Sequence, residues 1–219
     1  MIDWMLEVLT IFHQSLETCF KSVLLLDLYL KAEKTPKSVS DLHLIGIIAM
    51  FLASKLLELT PLRLSQVIKD ICKNKFSKDQ ILAGEKQMFK VLNFKLTHPS
   101  IFTFSSDLFG ISQLPEAFQK SIEKYANFLQ KMFMYSYDLL NVFSYMQLAL
   151  YSAIISMKLF QLSEPTFLCR KYIVTAIKFS AVSKSQILGD LNLLRDYVTN
   201  FKREFPFSSL HSENHYYNL

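Results

Sequence analysis

Glycine and proline are scarce, four and six in 219 residues, too few to turn the chain as often as a many-stranded β protein must. An all-helical protein is the economical reading. Cysteine is rarer still: Cys19, Cys72 and Cys169 stand far apart with no Cys-x-x-Cys pair, which offers neither a disulfide framework nor a zinc site. A reducing compartment is expected, the nucleus and cytoplasm. The first dozen residues hold Asp3 and Glu7 and no basic start, so they lack the form of a secretory signal. Also missing are a Gly-rich phosphate loop, a Gly-x-Ser-x-Gly elbow and a metal-ligand cluster, so neither catalysis nor a cofactor or metal is expected. His211 and His215 stand four apart, with only Glu213 between them as an acid, too little for a metal site.

Charge is absent from the 19 residues Leu139 to Met157, a length close to the roughly 20 that span a bilayer. The stretch nevertheless holds Asn141, Ser144, Gln147, Ser152 and Ser156, and Asp138 and Lys158 flank it. That pattern suits a helix wrapped by protein, so no membrane is expected. The net charge of +5 comes from lysines such as Lys31, Lys34, Lys69, Lys73, Lys75 and Lys78 with acids between them. No arginine-rich run or spaced aromatic set accompanies them, and the expectation is a solvated surface rather than a nucleic-acid face.

What is present is helical periodicity. About 51% of the residues are hydrophobic, and apolar positions recur as about ten helices. Turn signals separate them at Lys34 to Ser38, Thr60-Pro61, His98-Pro99, Leu114-Pro115, Glu164-Pro165 and Phe205-Pro206. Ser77-Lys78-Asp79-Gln80 has the form of a capping box, and Ser183-Lys184-Ser185-Gln186 repeats it 106 residues later. The same offset lays the apolar run Leu42 to Glu58 on Leu148 to Glu164. The chain therefore reads as an internal repeat. The expectation is two tandem five-helix bundles, residues 1–98 and 99–203, each with a buried third helix, and a tail, 204–219, that is mobile or lies along a bundle.

Glu85 interrupts an apolar stripe, with Ile81 and Leu82 before it and Met88 and Phe89 after it. A carboxylate there needs a cation, backbone donors or a partner protein. Lys55, at the end of the run Leu44 to Ala53, is the best candidate cation. Adding 106 takes Lys55 to Gln161 and Glu85 to Leu191, so the pair belongs to the first bundle only. It fits a surface used for a partner and equally an ordinary internal salt bridge.

These residues resemble a known family over most of the chain. The matching text is Ile2-Asp3-Trp4-Met5-Leu6-Glu7-Val8, Glu17-Thr18, Leu28-Tyr29-Leu30, Leu42-His43-Leu44-Ile45-Gly46 and Ala49-Met50-Phe51-Leu52-Ala53-Ser54-Lys55. It continues through Phe76-Ser77-Lys78-Asp79-Gln80-Ile81-Leu82, Glu85 and Val91-Leu92-Asn93-Phe94-Lys95-Leu96. The sequence looks like a cyclin of the cell-cycle class, with two cyclin boxes, the second supported mainly by the repeat.

The resemblance implies a regulatory subunit that binds and activates a cyclin-dependent protein kinase. Lys55 and Glu85 would bond backbone groups around the kinase's regulatory helix, and Leu56, Phe89, Phe94 and Leu96 would supply apolar contact. It further implies a docking groove for substrates or inhibitors carrying Arg-x-Leu, here represented by Trp4, Glu7, Leu42 and His43. Met1 stands at the end of the family's Met-Arg-x-Ile-Leu segment, and His43 replaces the usual glutamine. The chain begins after the helix that cyclins place before the first box, which implies one kinase contact fewer. General transcription initiation factors of the B type share the two-repeat fold but grip DNA through a basic face. They are the alternative reading.

Overall fold

The computed structural model describes residues 1–33, 35, 38–111, 116–159, 174 and 183–216. The chain divides into two compact units, Met1–Ser100 and Ile101–Leu219, and the elements named in both are helical.

The first unit runs α1 (Ile2–Ile11), α2 (Leu16–Ala32), α3 (Val39–Leu57), α4 and α5 (Lys78–Val91). Helix α4 opens as one α-helical turn, Leu64–Gln66, and continues as a π-helix, Val67–Ile71. Helix starts are set by side chains that accept the orphan amides. Ser15 accepts from the Thr18 amide, and Ser38 with Asp41 and Ser77 with Gln80 close full capping boxes. In α3 every residue from Ile45 to Ser54 is buried, as expected of a helix apolar all round. Helix α3 is the one helix among the described residues long and apolar enough to cross a membrane, and here its middle is the bundle's core. It packs mainly on α2, whose Thr18 to Leu26 are likewise buried.

Two contacts hold α1 and α5 close to α3. At Gly46 an added Cβ would lie 3.1 Å from the Met1 sulfur and 3.8 Å from Trp4. At Gly84 it would lie 2.2 Å from Cδ1 of Ile48. Beyond α4, the Cys72 amide donates back to Val67 at 2.8 Å. Lys73 and Asn74 then take left-handed φ values of 49° and 59°, and the chain turns sharply into α5.

The second unit contains α6 (Ile101–Gly110), α7 (Glu116–Phe133), α8 (Tyr137–Val142), α9 (Tyr145–Leu159) and α10 (Lys184–Glu204), then a 3₁₀ segment, Ser209–Tyr216. The 106-residue repeat reappears as matching helix starts. Val39 corresponds to Tyr145 and Lys78 to Lys184, with capping serines Ser38, Ser144, Ser77 and Ser183 at the same spacing. Ile2 and Leu16, by contrast, correspond to Ile101 and Glu116, about 100 residues on. The six-residue α8 accounts for the difference.

Two expectations change. Leu139 to Met157, read as one helix, is broken between α8 and α9. The Ser144 hydroxyl accepts from the Gln147 amide at 3.2 Å, and Gln147 Oε1 accepts from the Ser144 amide at 2.9 Å. This reciprocal cap starts a new helix inside the uncharged run. Both apolar helices also begin three residues before the expected Leu42 and Leu148. Residues 160–164, the end of the expected second run, lie outside the described residues, as do Gln161, Leu114-Pro115 and Glu164-Pro165.

A web of buried polar groups ties the second bundle together. Gln130 of α7 is fully buried, and its amide donates to the Ser105 hydroxyl of α6 and the Ser152 hydroxyl of α9, at 2.9 and 2.8 Å. Tyr151, also fully buried, donates to Asp190 of α10. Burial and that carboxylate hold the phenol well above its usual pKa. The described part of the tail, with side chains up to residue 212, is held against the second bundle. Leu210 is 2% exposed, the His211 Nε2–H donates to the Phe205 carbonyl at 2.6 Å, and the rings of Tyr135, Phe201 and Phe205 pack edge-on or tilted at 5.0–5.4 Å.

Candidate partner-docking surfaces

Lys55 sits in the last turn of α3, where a cation meets the helix's negative end. Its Nζ reaches Glu85 Oε1 at 2.6 Å, the cation that the carboxylate's place in an apolar stripe called for. The same Nζ lies 3.8 Å from the centroid of the Phe51 ring, an attractive position for an ammonium. The lysine side chain is 39% exposed and the glutamate 13%. A pair this open is worth little to folding, about 1 kcal/mol at most.

The segments that carry the pair also leave apolar side chains unburied. Leu56 is 42% exposed, Leu59 fully so, and Phe94 73%. Phe94 stacks on half-buried Phe89 with centroids 5.6 Å apart. The stack depends on an uncommon backbone, since Asn93 and Phe94 both adopt left-handed φ values, 49° and 59°. The Phe94 amide donates to the Phe89 carbonyl at 2.9 Å. Such a conformation costs roughly 1 kcal/mol or more per non-glycine residue, and its product is an aromatic ring held out in water. Leu96, expected on this surface, is instead 4% exposed and belongs to the first bundle's core. Lys21 draws that segment inward, its Nζ donating to the carbonyls of Leu96 and His98 at 3.4 and 2.6 Å.

The reading of the sequence missed Lys21. It is 6% exposed, and burial, against the pull of Glu17, lowers its pKa. The signal was a lone lysine inside Cys19 to Leu26, an otherwise uncharged run. Glu58 entered the sequence analysis only as the end of the apolar run from Leu42. It closes α3 onto the start of α2, accepting from the Ser15 amide at 2.7 Å and from the Thr18 hydroxyl. Burial pushes its carboxyl up, but these bonds outweigh burial and leave it below the usual range.

The second expected surface is partly assembled. Trp4 and His43 meet edge to face with centroids 4.7 Å apart, and His43 meets Phe76 at 5.7 Å. Leu42 is half-buried beside His43, and Glu7 is exposed one turn along α1 from Trp4. No hydrogen bond or ion pair among the described residues joins Glu7 to the ring cluster. Lys75, not foreseen here, places its Nζ 3.5 Å from His43 Nδ1. Burial first, and Lys75 second, hold the imidazole's pKa below its usual value. Among the described residues no group of three or more His, Cys, Asp or Glu side chains gathers as metal ligands.

With this geometry in place, comparison with known proteins is specific. Residues 1–97 match the cyclin N-terminal domain. The chain is 31% identical to the G2/mitotic-specific cyclin-B1 of Xenopus laevis over 159 residues, 73% of this chain and 38% of that protein. It is 33% identical to cyclin-B1-2 of Arabidopsis thaliana over 141 residues, 64% and 30% of the two chains. A viral cyclin from herpesvirus saimiri shares the fold with a TM-score of 0.74 at 16% identity, over 91% of this chain and 83% of that one. A chain of the CAK complex from Chaetomium thermophilum superimposes with a TM-score of 0.62 at 14% identity, over 96% and 66%. The present chain spans about half or less of the curated relatives it matches, 51% of a soybean mitotic cyclin and 30% of the Arabidopsis protein. Two helical bundles, a domain match over residues 1–97 and mitotic cyclins among the relatives lead to one assignment: residues 1–97 form a cyclin N-terminal domain, and the chain is similar to mitotic cyclins beyond it.

Proposed function

We propose that this chain is a regulatory subunit, without catalysis of its own, that binds a cyclin-dependent serine/threonine protein kinase and activates it. Both compact units serve as cyclin boxes in this reading. The observation that carries it is the Lys55 and Glu85 pair, on segments that also leave Leu56, Leu59 and Phe94 exposed. Charge-assisted donors and acceptors ringed by apolar anchors form the kind of patch that dominates protein interfaces. Lys55 and Glu85 would bond the backbone around the kinase's regulatory helix, and Leu56, Phe89 and Phe94 would pack on it. Binding would favour the kinase arrangement in which the helix's glutamate meets the ATP-binding lysine. Moving a mostly inactive kinase to mostly active takes about 5 kcal/mol of differential affinity. The Trp4 and His43 face would serve separately to dock substrate or inhibitor peptides.

The test is a panel of inactive cyclin-dependent kinases incubated with the chain, reading phosphorylation of a histone-like substrate. At least one kinase should be stimulated, and Lys55→Ala with Glu85→Ala should abolish both stimulation and co-purification. Stimulation of none, or stimulation indifferent to both substitutions, overturns the proposal. The DNA-binding alternative predicts salt-sensitive DNA retention instead. The mitotic cyclin relatives and the formed Lys55 and Glu85 pair speak for the kinase.

A further inference from the structure

Helix α3 stops at Leu57, and the chain is then pinned at two points before α4 begins. Glu58 is held by the Ser15 amide and the Thr18 hydroxyl. Leu62, 5% exposed, drops into the core, and its amide donates to the Ser54 hydroxyl at 2.8 Å. Between the two pins Leu59, Thr60 and Pro61 are all exposed. Among the described residues no hydrogen bond engages the Thr60 hydroxyl.

The backbone is extended at both ends of this segment, with φ −93° and ψ 141° at Glu58 and φ −82° and ψ 143° at Arg63, and Pro61 disfavours a helical Thr60. Neighbouring side chains of an extended segment point to opposite sides. With Leu62 turned inward, Pro61 and Arg63 are turned out, and both are exposed. The surface therefore offers a hydroxyl, a ring without an amide proton and a guanidinium in the order Thr60-Pro61-Leu62-Arg63. A kinase whose pocket leaves no acceptor for the amide after the hydroxyl selects proline there, since proline alone lacks that proton, and a carboxylate further along selects a basic residue. One other threonine precedes a proline, Thr35, but Ser38 and not a base stands three residues on. The Thr35 hydroxyl is also engaged, donating to Glu33 at 2.8 Å.

We propose that Thr60 is a phosphorylation site for a proline-directed serine/threonine kinase, and that the phosphate weakens docking on the segment that carries Lys55. Thr60 Oγ1 attacks the γ-phosphorus of ATP and forms the new O–P bond, the bond from that phosphorus to the β,γ-bridging oxygen breaks, and ADP leaves with the electron pair. The hydroxyl proton passes to the modifying kinase's catalytic carboxylate. The product brings a charge of about −1.5 to −2 to the C-terminal end of α3, already the helix's negative end. It stands next to fully exposed Leu59 and two residues from Glu58. A partner that buries Leu59 then has to strip water from a dianion. The loss of docking rests on the kinase-activating reading, whereas the phosphorylation stands without it.

The whole chain is incubated with ATP and a purified active kinase of Ser/Thr-Pro-x-Lys/Arg specificity, and the site is read by phosphopeptide mass spectrometry. Phosphate should appear on Thr60 well before Thr35. Pro61→Ala should abolish it, Arg63→Ala should slow it about fivefold, the worth of an exposed ion pair, and Arg63→Lys should restore it. A peptide of residues 56–66 is the control for presentation by the fold. No phosphate on Thr60, equal labelling of Thr35, a rate indifferent to Pro61→Ala, or labelling of the peptide but not the folded chain overturns the site. Stimulation of a cyclin-dependent kinase by the phosphorylated chain should then fall severalfold, and a Thr60→Val chain put through the same treatment should keep it. Equal stimulation before and after phosphorylation overturns the loss of docking. A chain that is labelled at Thr60 but stimulates no kinase in its unphosphorylated form overturns the kinase-activating reading and the docking loss together, and leaves the site standing.

Discussion

In the first bundle Glu85 stands half-buried on α5 with its carboxylate bonded to Lys55, whereas the residue 106 positions on, Leu191, is 8% exposed and joins the core of the second. Ile45 and Tyr151 show the reverse. The isoleucine is plain core, and the tyrosine carries a hydroxyl inward to Asp190. One helical frame thus places its polar pairing at the surface in one copy and inside in the other. A pair that the frame itself required would recur at both positions. Its presence in the first bundle alone is what the proposed docking role draws on.

The sharpest way to break this comparison is in the second bundle. Phe201→Ala removes a fully buried ring from the Tyr135, Phe205 and His211 cluster. It should cost about 3–5 kcal/mol in urea unfolding. A loss under 1 kcal/mol would mean that rings do not hold the C-terminal segment. Next comes Tyr151→Phe, which strips Asp190 of its phenol donor and should cost about 2 kcal/mol. An unchanged melting temperature would remove the inner polar tie from the contrast.

The first bundle should respond in the opposite sense at Asp27. Its Oδ2 is buried with no hydrogen-bond partner among the described residues, and burial, opposed by Lys31, raises the carboxyl pKa from 3.8 to about 6. A folded value above the unfolded one means that the penalty is absent below pH 3.8, grows between there and 6, and is complete above 6. Stability should therefore fall as pH rises through that window. Asp27→Asn should gain about 1–2 kcal/mol at pH 7, part of the roughly 3 the shift implies, since the residue keeps some solvent. A destabilised variant at pH 7 would show that the carboxylate has a role in the fold. Smallest is the double change Lys55→Met and Glu85→Met, expected to move unfolding by less than about 1 kcal/mol. A larger loss would turn the pair into an internal brace.

The features legible in the sequence were local or periodic. The capping serines at 77 and 183, the buried helices α3 and α9 and the 106-residue spacing all follow from side chains that act on their own helix, although the six-residue α8 makes α9 the fourth helix of its unit and not the expected third. Lys55 and Glu85 were legible because a charge in an apolar stripe demands a partner and few were available. The break at Ser144 carries a readable Ser-x-x-Gln pattern, yet the apolar residues on both sides concealed it. Lys21, Gln130 and the Tyr151–Asp190 bond were out of reach because their partners lie 22 to 77 residues away. Tertiary proximity of that kind leaves no period. The burial of Leu96 was lost with Lys21, since one causes the other.

Cys72 closes the π-helical turn, immediately before the left-handed pair that aims Lys75. Its thiol is 3% exposed, and burial raises its pKa, so the reactive thiolate is rare and shielded. Alkylation at this sulfur can proceed only while the turn is unwound. In a Cys19→Ala, Cys169→Ala chain, the rate of mass gain becomes a stopwatch on that excursion.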